Sequence, residues 1–564
     1  MRGPLAHQLL KLRDGSRQAA FERATREPAK AQSDALGRIL RRNAQTAFGK
    51  DHGFGSVSTP KQFASAVPVT EYEAIRPYVT RMLAGESGVL TAEPPLMFDT
   101  TSGTTGEPKY VPVPAGWCDE MASLTRIWML YALRDHPAAL AGRTLVVASP
   151  AVEGYTAAGV PVGALSGLTY QRIPWLVRRQ YAIPYAVALI DDPDQRYFMT
   201  MRAALQHDVS AIGTPNATTL LRLAEVTRTD ADRLLAAIER GTLGVEPSFT
   251  AHCDAGAQLG VLRSWCVAAP ERARALAAAA DRNGALTPAV AWPRLTLIGC
   301  WLGGSAGVHA RRLGDAFGDV PLRDLGLLAT EGRITLPIED ADPAGVLCVD
   351  TAYFEFVPES DWDRTDPALL TADELEDEEI YQVVITGSNG LYRYNLRDVV
   401  QVRGFHNRTP RLAFLRKAGD FVSVTGEKVH LDQVQAAVRT ADAQTDAQVW
   451  QFQLIPDVTS LCHDLLLEPH RPLSTVLARQ FLAAFDEALA QLNLEYSSKR
   501  RSGRLRGPRL FLMRAGWADR RTRRDIAEGR REPQYKWMVL PTAWDEASRR
   551  EVEMAVDTAG SFLS

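Results

Sequence analysis

A ten-residue segment of this chain combines hydroxyl side chains, glycines and a lysine, the residue types that hold phosphate groups. The segment reads Thr100-Thr-Ser-Gly-Thr-Thr-Gly-Glu-Pro-Lys109. Glycines let backbone N–H groups approach phosphate oxygens, while hydroxyls add donors and Lys109 adds a positive charge. It is not a Walker A loop, because only two residues separate Gly103 from Gly106 and Glu107-Pro108 precede the lysine. A Ser/Thr/Gly-rich surface turn is the alternative interpretation, so a phosphate site needs partners elsewhere in the chain.

A second glycine-rich segment, Cys300-Trp-Leu-Gly-Gly-Ser-Ala-Gly307, follows an apolar run at residues 295–299. Paired glycines at 303 and 304 would let a flat base lie against the backbone. We therefore include Gly303, Gly304 and the adjacent Ser305 among the candidate nucleotide-binding residues. An ordinary strand-to-helix turn explains the same sequence, and both interpretations stay open.

Thr330 and Glu331 lie in the segment Leu327-Leu-Ala-Thr-Glu-Gly332. The hydroxyl of Thr330 can donate to an α-phosphate, and the carboxylate of Glu331 is a hard oxygen ligand for Mg²⁺. A common loop is the alternative. The order of these segments along the chain suits an enzyme in which a carboxylate attacks the α-phosphate of ATP.

Asp398 ends the segment Gly390-Leu-Tyr-Arg-Tyr-Asn-Leu-Arg-Asp398. A carboxylate can accept hydrogen bonds from both hydroxyls of a ribose, which makes Asp398 a candidate ribose ligand. The alternative interpretations are a turn residue or an ion-pair partner of Arg393 or Arg397.

The elements that must position these residues alternate between helical and strand-like patterns. Residues 30–50 predict one amphipathic helix whose apolar face is Ala35, Leu36, Ile39 and Leu40. The Ala/Leu/Arg-rich region 115–290 contains a strand-like run at 144–148, and short apolar runs recur at 295–298, 346–349 and 383–386. This pattern predicts an α/β fold.

A polar, glycine-containing segment at residues 416–420 predicts a hinge. We expect residues 1–415 to form one domain and residues 416–564 a smaller one. The acidic run 373–379 predicts a solvated helix face rather than a metal site. Arginine clusters near residues 500 and 521 predict a solvated or interdomain face, and RNA binding ranks last because no stacking aromatics alternate with them.

The bulk composition is that of an ordinary globular protein with no strong charge preference. The chain has 564 residues, 46% hydrophobic and 23% charged, with a formal net charge of -3. We expect no nucleic-acid or membrane partner, no obligate protein partner and, without a signal-peptide or membrane-span pattern, a cytoplasmic location. The six cysteines are scattered, so neither disulfides nor zinc are expected.

Taken together, the chain resembles the auxin-responsive Gretchen Hagen family of acyl acid amido synthetases, a branch of the adenylate-forming superfamily. The resemblance covers nearly the whole chain. It rests on residues 43–49, 52–53, 67–73 and 76–78, on the loop through Lys109 to Pro112, on Gly303 and Gly304, on residues 390–394 and 404–410, and on Gln534-Tyr-Lys536. High Ala and Arg usage is typical of a bacterial member from GC-rich DNA.

The resemblance implies a large α/β N-terminal domain with mixed sheets and a β-barrel-like part, and a smaller, mobile α+β C-terminal domain, with the active site between them. It also implies roles for individual residues. Thr101, Ser102, Gly103, Thr104, Thr105 and Lys109 hold phosphates, Thr330 and Glu331 hold the α-phosphate and Mg²⁺, Asp398 holds the ribose, and Lys428 and Lys536 are cations from the C-terminal domain. Two positions depart from the family pattern, which commonly has Gly in place of Arg397 and Pro-Arg in place of Trp537-Met538.

The implied reaction is ATP-dependent. A small-molecule acyl acid becomes an acyl-AMP with release of pyrophosphate, and an amine, by expectation an amino acid, then takes the acyl group. Residues 149–168 and the helix around Trp128 are candidates for the acyl pocket, with a plain core as the alternative. Two alternative functions are an acyl-CoA or carrier-protein thioester ligase and a non-catalytic nucleotide-binding protein.

Overall fold

The computed structural model describes residues 3–101, 108–304, 306–362, 364, 367–527 and 537–557. The chain divides into two compact units, Met1–Leu415 and Arg416–Ser564. Some candidate residues lie outside the described residues, namely Ser102, Gly103, Thr104, Thr105, Ser305 and Lys536. For Thr101 only the backbone is described.

The helices of the first unit are numbered in chain order. They are α1 (Gly3–Ala24), α2 (Pro28–Asn43), α3 (Ala47–Asp51), α4 (Pro60–Ala66), α5 (Tyr72–Leu83), α6 (Ala115–Asp135), α7 (Leu165–Arg172), α8 (Trp175–Arg178), α9 (Pro193–Leu205), α10 (Ala217–Thr229), α11 (Ala231–Arg240), α12 (Ala255–Trp265), α13 (Pro270–Asn283), α14 (Pro288–Ala291), α15 (Ala306–Ala310) and α16 (Leu313–Phe317). None of the described helices in the chain combines the length and the apolar character needed to cross a membrane.

The strands of the first unit are numbered in the same way. They are β1 (Pro95–Thr101), β2 (Lys109–Pro114), β3 (Arg143–Val146), β4 (Gly154–Tyr155), β5 (Pro161–Gly163), β6 (Val209–Gly213), β7 (Leu297–Gly299), β8 (Leu322–Arg323), β9 (Leu328–Ala329), β10 (Gly332–Arg333), β11 (Thr335–Leu336), β12 (Gly345–Leu347), β13 (Tyr353–Pro358), β14 (Leu370–Thr371), β15 (Ile380–Thr386), β16 (Tyr394–His406) and β17 (Thr409–Lys417).

These strands form separate sheets. One sheet has the order β2-β1-β5-β4, and a parallel sheet has the order β3-β6-β7-β8. A larger sheet has the order β11-β12-β17-β16-β15-β13-β14, and β9 and β10 pair as a hairpin. The runs predicted as strands near 144, 297, 346 and 384 are all strands, so the predicted α/β fold is confirmed.

The helix predicted over residues 30–50 is two helices. Its apolar face is buried as predicted, with Leu36 and Ile39 each 2% exposed. Helix α2 ends at Asn43, whose side chain donates to the Ile39 carbonyl and accepts from the Ala92 N–H. The hydroxyl of Thr46 then caps α3 by accepting from the Gly49 N–H. Because Asn and Thr offer these competing bonds, one continuous helix does not form.

The acidic run at residues 373–379 is solvated, as predicted, but the predicted helix is wrong. The segment consists of turns between β14 and β15, and its acidic side chains are exposed. Glu374 accepts from the N–H and hydroxyl of Thr371, and Asp377 accepts from the Gly404 N–H. Short acidic side chains thus bond to nearby backbone, which favours turns over a helix.

The second unit packs helices against a sheet of order β20-β21-β22-β23. Its apolar core contains Phe452, Leu465, Phe481 and Leu510, all at most 2% exposed. The elements are β18 (Phe421–Val422), β19 (Val429–His430), α17 (Leu431–Thr445), β20 (Val449–Asp457), β21 (Cys462–Pro469), α18 (Thr475–Leu492), α19 (Leu494–Arg501), β22 (Arg509–Met513), α20 (Trp517–Ala527), α21 (Glu546–Arg549) and β23 (Val552–Asp557).

A buried ion pair holds the beginning of β16. Arg393 donates to both carboxylate oxygens of Glu355 at 2.8 and 2.9 Å, and both side chains are at most 7% exposed. The same guanidinium donates to the carbonyls of Ala64 and Val67 at 2.9 and 2.7 Å. Thr70 then bonds to the backbone on either side of Tyr394. The segment before α5 is thereby fixed to the strand that carries Asp398.

Replacing Arg393 with Met should lower the free energy of unfolding by about 3–5 kcal/mol, because Glu355 would be left as an uncompensated buried charge. The matched control is Arg81→Met, which breaks an exposed pair with Glu86 and should have a much smaller effect. Urea denaturation followed by tryptophan fluorescence measures both. Equal losses in the two variants would contradict the assigned importance of the buried pair.

Candidate active site

The two ends of the predicted phosphate segment are brought together by strand pairing. β1 and β2 are antiparallel, and Thr101 lies opposite Lys109. The ammonium group of Lys109 lies 5.7 Å from the centre of the Tyr72 ring, a cation–π distance. The hydroxyl of Tyr72 accepts from the Tyr110 N–H at 2.7 Å. The N-terminus of α5 therefore supports the base of β2, where Lys109 begins the strand.

Thr330 and Glu331 form the two-residue turn of the β9–β10 hairpin, in which Ala329 pairs with Gly332. Both turn residues are partly exposed. The backbone carbonyl of Glu331 accepts from the Asn389 side chain at 3.1 Å. A tight hairpin thus presents one hydroxyl and one carboxylate side by side.

Asp99 joins these two parts of the candidate site, and sequence reasoning missed it. Asp99 is 4% exposed and its carboxyl group accepts from the Thr100 N–H at 2.8 Å. The Leu165 N–H and the Thr330 hydroxyl lie close enough to favour its ionised form. Burial raises the pKa of Asp99 to about 7, and the nearby Glu331 carboxylate adds to the rise. The available signal was an acidic residue inside the apolar strand that leads into the phosphate segment.

The paired glycines lie between β7 and α15, so the segment does connect a strand to a helix. Gly304 has φ +54°, and an added Cβ would lie 3.0 Å from the Phe414 ring. An added Cβ at Gly303 would lie 3.3 Å from the Phe414 carbonyl oxygen. Packing against β17 therefore accounts for both glycines without a ligand, whereas contact with a base stays a prediction.

A buried carboxylate, Asp324, fixes this glycine loop. It accepts from the backbone N–H groups of Leu302 at 2.6 Å and of Gly326 at 2.5 Å, and the Gly303 N–H lies close enough to favour its ionised form. The side chain is 3% exposed, and burial raises its pKa to about 6 despite these hydrogen bonds. Trp128 donates from its ring nitrogen to the Asp324 carbonyl at 2.8 Å.

Trp128 was a candidate for the acyl pocket, but it is 9% exposed and packs in a core cluster with residues of α6 and β7. An added Cβ at Gly299 would lie 3.1 Å from its ring. For this residue the plain-core alternative fits the packing. The other candidate, residues 149–168, contains β4, β5 and the start of α7.

Asp398 lies within β16 and is 2% exposed, so the turn interpretation is wrong. The proposed arginine partners are engaged elsewhere, Arg393 with Glu355 and Arg397 with both oxygens of Glu71 at 2.9 and 3.0 Å. Arg397 has φ +55°, the left-handed conformation that glycine adopts without strain. The local backbone therefore keeps the glycine-like conformation although the residue is arginine.

In the second unit, Lys428 is exposed at the end of the connection between β18 and β19. Trp537, directly after Lys536, donates from its ring nitrogen to the Phe452 carbonyl at 2.9 Å and packs edge-on against Trp517. Arg520, Arg521 and Arg524 of α20 pair with Asp545 or Glu551, and Arg500 pairs with Asp486. These ion pairs account for much of the basic clustering.

The pKa of Asp324 predicts how stability depends on pH. Because the folded-state pKa is raised to about 6, above an unfolded value of about 3.9, the folded state holds this proton more tightly. The free energy of unfolding should therefore fall as pH rises from about 4 to about 6, by roughly 1–3 kcal/mol from this group. The Asp324→Asn variant lacks this contribution. The difference in the free energy of unfolding between wild type and variant should therefore become smaller as pH rises from about 4 to about 6. Urea titrations at pH 4.5 and 7 measure the gap, and a constant gap would refute the assignment.

The fold defined by these elements is that of an acyl acid amido synthetase. It is similar to the solved structure of "GH3.15 acyl acid amido synthetase", with a TM-score of 0.82 and 20% identity over 96% of this chain and 97% of that chain. A structure of the AtGH3.15 enzyme in complex with 2,4-DB gives a TM-score of 0.83 and 19% identity over 97% and 98% of the two chains.

Family models match most of the sequence. The GH3 family N-terminal domain matches residues 17–322, the central domain residues 345–417 and the C-terminal domain residues 432–541. The chain belongs to the GH3 family. The family and fold class predicted from sequence are therefore confirmed, while the bacterial origin stays a prediction.

Curated relatives carry the same kind of name. The chain is 27% identical to indole-3-acetic acid-amido synthetase GH3.2 of Arabidopsis thaliana, over 75% of this chain and 80% of that protein. It is 26% identical to jasmonoyl--L-amino acid synthetase GH3.5 of Oryza sativa subsp. japonica, over 75% and 76%. The amide-forming activity predicted from sequence agrees with these names.

Proposed function

We propose that this chain is an ATP-dependent acyl acid amido synthetase. In the first step a carboxylate oxygen of the acyl acid bonds to the α-phosphorus of ATP, and the bond to the β,γ-pyrophosphate breaks. In the second step an amine bonds to the acyl carbon, AMP leaves with the electron pair of the acyl–oxygen bond, and the amine loses a proton. Adenylation supplies the leaving group that a bare carboxylate lacks.

The observation that carries the proposal is the arrangement around Asp99. Its carboxyl group accepts from the Thr100 N–H in the strand that leads into the phosphate segment, and it lies beside the Thr330 hydroxyl of the hairpin turn. One buried group therefore lies between the strand end that pairs with Lys109 and the hairpin turn that carries the Thr330 hydroxyl and the Glu331 carboxylate. Fixed donors and a cation stabilise charge that shifts between phosphate oxygens during attack.

Glu331 is the proposed Mg²⁺ ligand. The fit is supported by its partly exposed carboxylate and by the neighbouring Asn389, whose buried Oδ1 has no partner among the described residues. Oxygen donors of this kind suit Mg²⁺ and its bound waters. When bound, the ion would neutralise phosphate charge. Thr330 and Lys109 would hold the phosphates in line for attack, and Asp398 is the proposed ribose ligand.

Residues 416–564 are proposed to act as a mobile domain that supplies Lys428 and Lys536. The proposal is supported by the division of the chain after Leu415 and by the family pattern around both lysines. One site must accommodate pyrophosphate first and an amine later, which favours a conformational change between the two steps. The hinge is proposed at residues 416–420.

The substrates are proposed to be a small-molecule acyl acid and an amino acid. The names of the relatives support both, since one is an indole-3-acetic acid-amido synthetase and another a jasmonoyl--L-amino acid synthetase. The cytoplasmic location stays a prediction. The thioester ligase and the non-catalytic nucleotide-binding protein become outcomes of the test below.

The test is ATP-dependent pyrophosphate release across a panel of small carboxylic acids, with amino acids or coenzyme A added or omitted. Lys109→Ala should lower the rate by about 100-fold or more, because it removes a charge aimed at the transferred phosphate. Asp398→Asn, which keeps the shape of the buried side chain, should raise the KM for ATP. Lys61→Ala, an exposed lysine of α4, is the matched control and should leave both values unchanged.

Acid-dependent release that amino acids stimulate, together with an amide product, would establish the proposal. Stimulation by coenzyme A with a thioester product would replace it with the ligase alternative. ATP binding without release for any acid would favour the non-catalytic alternative.

The two half-reactions provide a separate prediction for Lys536. Lys536→Ala should slow acyl-AMP formation far more than attack of an amino acid on preformed acyl-AMP, because the lysine offsets charge on the phosphates only in the first step. Single-turnover measurements of each step compare them. Equal losses in both steps would contradict the assignment.

A further inference from the structure

The residue before Lys428, Glu427, is a fully buried carboxylate with 0% exposure. It accepts from the backbone N–H groups of Val424 and Thr425, both at 2.9 Å, and from the Thr425 hydroxyl at 2.7 Å. The side chain thus closes its own loop, residues 423–428, which connects β18 to β19. We call this segment the Lys428 loop.

Two other elements hold the same carboxylate. His463 of β21 is 1% exposed, and its Nε2 lies 2.9 Å from Oε1 of Glu427. The ammonium group of Lys499 of α19 lies 3.8 Å from Oε2 of Glu427 and donates to the Thr425 carbonyl at 2.8 Å. The Lys428 loop is therefore fixed to the sheet and to a helix of the second unit.

The electrostatics favour an ionised group at this position. Burial alone would raise the pKa of Glu427, but hydrogen bonds from His463, from Thr425 and from the Val424 N–H outweigh it and hold the pKa well below its ordinary range. Burying a charge is expensive unless it is paired and fully hydrogen-bonded. A loop that only connects two short strands does not require such a group.

The backbone of Lys428 is clamped on both sides. Its N–H donates to Glu495 at 3.3 Å, and its carbonyl accepts from the Asn493 side chain at 2.8 Å. Lys428 is also an exposed residue. The structure thus presents an exposed cation on a rigid loop, which is the arrangement expected of a charge that must meet a ligand in one orientation.

We propose that Glu427, held by His463 and Lys499, is a positioning residue that orients Lys428 for acyl-AMP formation. The inference rests on the proposed function, because it assigns Glu427 a role in the same adenylation step. The alternative is that the buried carboxylate only stabilises the fold of the second unit.

A double-mutant cycle separates the two possibilities. In the full chain, Glu427→Gln should lower kcat for pyrophosphate release by about 10–100-fold, with a KM for ATP changed by less than about 3-fold, because misplaced charge reduces transition-state stabilisation more than binding. In the Lys428→Ala background the same substitution should have almost no further effect. Lys499→Met, which keeps most of the side-chain stem, should behave in the same way and replaces Glu427→Gln if that variant does not fold.

The matched control is Asp464→Asn on the same strand as His463. Asp464 is also a buried carboxylate, at 2% exposure, but it bonds to Arg509 and Trp544 instead of the Lys428 loop. Asp464→Asn should lower the unfolding midpoint in urea, because it changes a buried, hydrogen-bonded carboxylate. Any effect of Asp464→Asn on kcat should be independent of Lys428→Ala, so that the two effects multiply in the double variant.

The outcomes are distinguishable. Independent, multiplicative effects of Glu427→Gln and Lys428→Ala would overturn the positioning role while leaving the proposed function intact. A Lys428→Ala variant with wild-type kcat would overturn both the role of Lys428 and this inference. Absence of pyrophosphate release from the wild-type chain with every acid would instead overturn the proposed function and the inference with it.

Discussion

The buried guanidinium of Arg393 fixes the geometry of the first unit. It neutralises Glu355 inside the large sheet and bonds to the carbonyls of Ala64 and Val67. The segment that leads into α5 is thereby held against β16. Because α5 supports Lys109 through Tyr72 and β16 carries Asp398, candidate residues far apart in sequence share one anchor. A buried cation that makes four hydrogen bonds to fixed acceptors permits little displacement of these elements.

Buried carboxylates fix single loops by hydrogen bonds in the same way that Arg393 fixes larger elements. Asp99 accepts from the Thr100 N–H beside the Thr330 hydroxyl, Asp324 holds the glycine loop at Leu302, and Glu427 holds the Lys428 loop. A carboxylate has about four acceptor sites, so it can satisfy several backbone N–H groups that a loop would otherwise leave unpaired. Desolvation raises the pKa of Asp99 and Asp324, whereas the denser hydrogen bonding of Glu427 lowers its pKa.

The two departures from the family pattern are accommodated by local packing. Arg397 adopts the left-handed backbone conformation that favours glycine, and its side chain leaves the strand to bind Glu71. Trp537 is anchored by a hydrogen bond to Phe452 and by the ring of Trp517. At both positions the side chain that departs from the family pattern forms a hydrogen bond with a nearby residue. Neither departure therefore requires a different fold.

The sequence by itself determined the α/β class, the strands near residues 144, 297, 346 and 384 and the apolar face of α2, because these depend on local composition and periodicity. The family followed from the resemblance of motifs spread along the chain. The contacts of Arg393 and Asp398, the end of α2 at Asn43 and the importance of Asp99 were decided only by tertiary structure. A carboxylate that lies close to residues more than 60 or 200 positions away, as Asp99 does to Leu165 and Thr330, leaves no periodic signal. Local patterns reveal which residues are able to do chemistry, and burial and long-range hydrogen bonds decide which of them are held together to do it.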